Sequence, residues 1–105
     1  MELIETPIFS SKIADILSED EYRQMQLALV INPLAGPVIP GSGGLRKLRW
    51  RSCGKGKRGG ARIIYYLYTE EERIYLLYLY KKSFQEDLTR RQLKALKEYV
   101  KDGVV

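Results

Sequence analysis

A chain of 105 residues is the size of one domain, and its 45% hydrophobic content is enough for a modest core without disulfides or metal. With no histidine and a single cysteine, Cys53, the usual zinc sites, an internal disulfide and every Ser–His or Cys–His nucleophile pair are excluded. The net charge of +5 is unevenly placed: the first thirty or so residues lean acidic, whereas Leu45 to Arg62 holds eight cations and no acid, a distribution that favours a polyanionic partner.

In chain order, Glu2 to Glu5 reads as an opening edge strand. Thr6 and Pro7 start a helix as N-cap and first helical residue, and Phe9, Ile13, Ile16 and Leu17 give it an apolar face. Ser18 and Glu21 form a capping box for a second helix, lined by Tyr22, Met25 and Leu29 and stopped at Asn32-Pro33. The Pro/Gly-rich stretch Leu34 to Gly44 is expected to be an ordered loop crossing one end of the sheet. Leu45 to Arg51 alternates, with Leu48 and Trp50 towards the helices and Lys47, Arg49 and Arg51 on the other side. Cys53 to Gly60 reads as a basic hairpin loop. Ala61 to Tyr68 is apolar on both faces and hence central. Thr69 to Arg73 is an acidic turn, and Ile74 to Lys82 a fourth strand. Thr89 and Gln92 form another capping box, opening a last helix to about Lys101 with Leu93, Leu96 and Val100 buried and Arg90, Arg91, Lys94, Lys97 and Lys101 outside.

The expected architecture is α+β: two N-terminal helices on a twisted, mainly antiparallel sheet of about four strands, then a C-terminal helix, all in one domain over 1–105. Helices are expected on one face, leaving part of the other open. MELIETPIF has no charged n-region or long apolar core, and no apolar run nears the roughly 20 residues of a membrane helix. A cytoplasmic protein without membrane contact is expected.

Gly54, Gly56 and Gly59 spell G-x-G-x-x-G, but this run opens a strand, whereas a dinucleotide fingerprint opens a helix. The acids sit at helix starts and in one turn, so no carboxylate cluster for two-metal catalysis is evident; neither metal nor other cofactor is expected. Lys, Arg and Tyr remain. They neutralise phosphate, stabilise a pentacovalent transition state and, when perturbed, transfer protons. RNA cleavage by its own 2′-hydroxyl needs no more. Arg62, opening an apolar central strand after Gly-Gly, is either a satisfied structural ion pair or a phosphate ligand. Lys81 and Lys82 end the neighbouring strand. Six tyrosines, Tyr65, Tyr66, Tyr68, Tyr75, Tyr78 and Tyr80, are core or cross-strand packing, with Tyr80 the choice for stacking on a base.

The segments GLRKLR, GKGKRGGARIIYY, IYLLYLYKK and QEDLTRRQLKAL together resemble the RelE/ParE toxin superfamily, within it the HigB-like branch. The resemblance implies a RelE-like fold and a type II toxin that cleaves mRNA in the ribosomal A site by metal-independent 2′-hydroxyl attack. It implies a cognate antitoxin that neutralises the toxin, and operator DNA as a partner only through the antitoxin complex. By position it assigns catalysis to Arg62, Lys55, Lys57, Lys82 and Tyr80. It places Arg58 and Lys81 on the RNA, and the dense cationic patch read from the residues adds Arg46, Lys47, Arg49 and Arg51 as expected RNA- or ribosome-binding groups. A ParE-like gyrase inhibitor and a non-catalytic RNA-binding protein on the same scaffold remain alternatives.

Overall fold

The computed structural model describes residues 1–51 and 60–103. The basic loop expected from Cys53, with Lys55, Lys57 and Arg58, lies outside the described residues up to Gly60.

Strand β1 (Glu2–Glu5) leads into helix α1 (Pro7–Ile16). Thr6 is the N-cap, as its sequence position predicts, and its side chain accepts the Phe9 N–H. Leu17 closes α1, and Ser18 opens α2 (Glu19–Ile31) with both bonds of the Ser18–Glu21 capping box in place. After the connector come β2 (Leu45–Trp50) and β3 (Ala61–Tyr68), a short 3-10 turn (Thr69–Glu71), β4 (Arg73–Lys81) and α3 (Arg90–Gly103). Thr89 and Gln92 cap α3 reciprocally.

The sheet order is β1-β4-β3-β2. Strands β2, β3 and β4 pair antiparallel, and β1 pairs parallel to β4. The two apolar strands are therefore central, as their composition requires.

Helices lie on both faces, which corrects the one-sided arrangement expected from the sequence. On one face Phe9, Ile16, Leu17, Met25 and Leu29 of the N-terminal half pack against Leu48, Ile63, Tyr65, Ile74, Leu76 and Leu79. On the other, Val100, with Leu93 and Leu96, joins Leu45, Ile64, Leu77 and Tyr80. The reason is in the strands themselves: β3 and β4 carry apolar side chains on both sides, and each side needs a cover.

The connector also differs from its expected path. It turns back along the free edge of β2, with Ile39 N–H bonded to the Leu45 carbonyl and Lys47 N–H to the Pro37 carbonyl. These bonds protect an edge that would otherwise be an unpaired row of backbone groups. Gly36 makes the approach possible: a Cβ there would lie 2.9 Å from both the Lys47 backbone and the Tyr65 ring.

One irregularity in β4 controls the site. Ile64 pairs with Tyr78 but Tyr65 pairs with Leu76, so Leu77 is an extra residue, a β-bulge. Thr6 ties this point down. Its hydroxyl donates to the Leu77 carbonyl (2.9 Å) and its N–H bonds to the Leu76 carbonyl (3.0 Å).

Candidate nucleic-acid interface

Alternation along β2 puts Lys47 and Arg49 on the face of Leu45, and Arg46, Leu48 and Trp50 on the other. Along β3 the same face carries Arg62, Ile64 and Tyr66. Along β4 the bulge resets the alternation, so that Tyr78 and Tyr80 join this face. Cross-strand pairing then aligns Arg49, Arg62 and Tyr80 in one row over three strands, with Lys47, Ile64 and Tyr78 in the next.

Arg62 is buried, at 7% exposure, and Arg49 beside it is exposed. Nη1 of Arg62 donates to the Ala61 carbonyl at 3.3 Å. Tyr80 is 4% exposed, and its buried hydroxyl has no hydrogen-bond partner among the described residues. Burial pushes its pKa up to about 12, the Asp87 carboxylate adds to the rise, and Arg62 opposes it. The phenol is therefore neutral at physiological pH, a donor in search of an acceptor.

Asp87, a residue the sequence reading passed over, stands in the connector after β4. Its Oδ1 lies 2.8 Å from Nζ of Lys47 on β2. The hydrogen bond from Lys47 holds its pKa below the ordinary carboxylate value, and the charges of Lys47, Arg49 and Arg62 add to the effect. The signal for Asp87 was weak in the sequence: one acid among solvated loop residues, whose partner is 40 positions away.

The remaining expected residues separate. Arg51 follows β2 and is exposed. Arg46 turns to the opposite face, where Nη1 donates to the Gly36 carbonyl at 2.8 Å. There it pins the connector beside Tyr65, whose hydroxyl donates to the Pro33 carbonyl and accepts the Gly36 N–H. Lys82 lies two residues beyond Tyr80, exposed, its N–H bonded to the Gly60 carbonyl. Lys81 places Nζ 5.3 Å from the centre of the Phe84 ring. Phe84 itself is 80% exposed, and an exposed aromatic ring with a cation over it is a feature on which a nucleobase stacks, although Lys81, paired with Ala61, lies on the other side of β4 from Tyr80. Tyr80, the expected stacking residue, is too enclosed for that role.

At the corner where β3 begins, Gly60 has φ +65°, and a Cβ there would sit 2.1 Å from the Trp50 carbonyl oxygen. Only glycine lets β3 enter the sheet against the end of β2 and set Arg62 at its place. A separate groove of about 870 Å³ runs between α3 and the 41–43 turn. Tyr66, Leu93 and Val100 line it, and Arg90, Lys94, Lys97 and Lys101, with Glu98 among them, surround these.

Residues 36–104 match the family model described as RelE toxin of the RelE/RelB toxin–antitoxin system. The chain belongs to this family of toxins. Its fold is similar to a chain of the intact E. coli RelBE toxin–antitoxin complex, with a TM-score of 0.59 and 15% identity over 76% of this chain and 94% of that one. A double mutant of the E. coli toxin RelE in the free state gives a TM-score of 0.59 at 16% identity, over 81% of this chain and 86% of that one. At these identities the likeness is one of fold. Among the described residues, no helix is long and apolar enough to cross a membrane.

Proposed function

We propose that this chain is a ribosome-dependent endoribonuclease, the toxin of a type II toxin–antitoxin pair, which cuts mRNA in the ribosomal A site. The observation that carries the reading is the Arg49–Arg62–Tyr80 row, with a buried phenol lacking a partner among the described residues next to a buried guanidinium. In the proposed reaction the substrate's 2′-oxygen attacks the adjacent phosphorus as its proton passes to a base. The 5′-oxygen leaves with a proton, giving a 2′,3′-cyclic phosphate and a 5′-hydroxyl. Arg62 and Arg49 neutralise the phosphorane oxygens. Tyr80, held neutral by burial, donates its proton to the phosphorane or the leaving oxygen. Lys55 and Lys57 of the basic loop are the proposed proton-transfer groups on the 2′-oxygen side. Arg58, Arg51, Lys81 and Lys82 hold the RNA backbone, and Phe84 receives a base. The nucleophile comes from the RNA, so the scheme calls on no metal or cofactor.

The cognate antitoxin is the proposed protein partner. The groove beside α3 suits one of its acidic segments: apolar residues would enter over Leu93 and Val100 while acids meet Arg90, Lys94, Lys97 and Lys101.

The test is a translation reaction with purified protein, mapping mRNA ends by primer extension, beside the same mRNA without ribosomes. Cuts within codons of translated message only are expected, with loss in a folded Arg62→Lys variant that keeps the charge but lacks the planar fork. Cuts on naked RNA would make it a free-standing ribonuclease. Intact mRNA with inhibited supercoiling would make it a gyrase inhibitor, and RNA binding without cuts a non-catalytic binder.

A further inference from the structure

We propose that Asp87 is a built-in anion, seated on the cationic face where an RNA phosphate is to sit, so that substrate enters by displacing it. The proposal rests on reading that face as RNA-binding. The ion pair with Lys47 joins the connector after β4 to strand β2, and β3 lies between those strands. The carboxylate thus meets the row of Lys47, Ile64 and Tyr78, next to the row that holds Arg62. The charges of Arg49 and Arg62 act on it as well as that of Lys47, and its own charge reaches Tyr80. Arg49 and Arg62, the groups proposed to neutralise the reacting phosphate, are therefore groups that already feel this carboxylate. A phosphodiester brings the same single negative charge and the same acceptor oxygens.

The placement is built rather than incidental. Nε2 of Gln85 donates to the Asp87 carbonyl and to Oε1 of Gln92, both at 2.9 Å. Gln92 in turn caps α3 through Thr89 and donates to the Tyr78 hydroxyl at 3.3 Å. The backbone at Asp87 is thus anchored to the helix start and the sheet. The side chain, by contrast, is 72% exposed. Exposed ion pairs are weak and salt-screened, which is what a displaceable occupant requires. Such a carboxylate favours a polyanion that engages several cations at once over a lone small anion.

The experiment measures binding of a short, non-cleavable 2′-O-methyl oligoribonucleotide by fluorescence anisotropy at fixed low salt. Wild type is compared with Asp87→Asn and with Glu86→Gln, which removes the same charge from the next residue. Asp87→Asn is expected to bind about fivefold tighter, the upper range for releasing an exposed pair, and Glu86→Gln to change affinity by less than about twofold. In a Lys47→Ala background most of the gain from Asp87→Asn is expected to vanish. Equal or weaker binding by Asp87→Asn than by Glu86→Gln, with wild type binding normally, overturns the proposal and makes Asp87 a positioning residue for Lys47. No binding by any variant overturns the RNA-binding reading of the face, and the internal anion with it.

Discussion

Arg62 and Tyr80 face each other as a cross-strand pair of β3 and β4, on the same side of the sheet. Unbroken alternation from Ile74 would send Tyr80 to the opposite side, into the core beneath α1 and α2. The extra residue Leu77 reverses the phase between Leu76 and Tyr78. A single β-bulge thus decides whether the phenol packs beneath α1 and α2 or on the face that carries Arg62.

Thr6 holds that bulge, so its hydroxyl links N-cap, sheet and site. Thr6→Val is expected to cost about 1–3 kcal/mol, because the Leu77 carbonyl loses its buried donor and the Phe9 N–H its cap. Thr6→Ser keeps both bonds and should cost less. Urea denaturation of the two variants measures the difference.

Tyr80→Phe separates fold from chemistry. The hydroxyl has no partner among the described residues, so its removal is expected to leave stability unchanged or raise it by up to about 1 kcal/mol. If it serves as the proposed proton donor, cleavage of translated mRNA falls by about 10²-fold or more. Thermal melting and single-turnover cleavage read the two effects independently.

Phe84→Ala removes an exposed ring and is expected to move stability by less than about 0.5 kcal/mol. Loss of a stacking platform would weaken binding of a short RNA by about 1–3 kcal/mol. Phe84→Trp should retain most of the affinity. Titration of one oligoribonucleotide against all three proteins checks both statements.

Stability should fall on the alkaline side. Burial raises the pKa values of Tyr65 and Tyr80, and burial with the hydrogen bond to Glu5 raises that of Tyr22. These tyrosines hold their protons in the folded protein at pH values where the unfolded chain has lost them. Their contribution is complete below about pH 10, the ordinary tyrosine value, and for Tyr80 is lost as pH rises towards its folded value of about 12. Unfolding by circular dichroism should coincide with the rise of tyrosinate absorbance, and Tyr22→Phe should shift that coincidence.

Reversing charge on the α3 groove tests the partner surface. Lys94→Glu with Lys97→Glu changes two exposed positions, so the fold is expected to persist while antitoxin affinity falls at least tenfold. Isothermal titration with the antitoxin, run beside RNA cleavage by the same variant, separates this surface from the Arg49–Arg62–Tyr80 row.

The sequence by itself determined what short-range chemistry determines. Thr6-Pro7, Ser18–Glu21 and Thr89–Gln92 marked the three helix starts, because capping links residues two to four positions apart. The two-sided apolar character of Ala61 to Tyr68 marked a central strand. The cationic face of β2 followed from simple alternation. Tertiary structure decided what depends on register and long-range contact. It alone showed that β1 runs parallel to β4, that α3 covers the second face, and that Arg46 serves the connector. It also turned Tyr80 towards Arg62 and brought Asp87 across the sheet to Lys47. A bulge reverses side-chain alternation without a distinctive local residue pattern, and an ion pair 40 residues apart forms only after the strands between have found their partners.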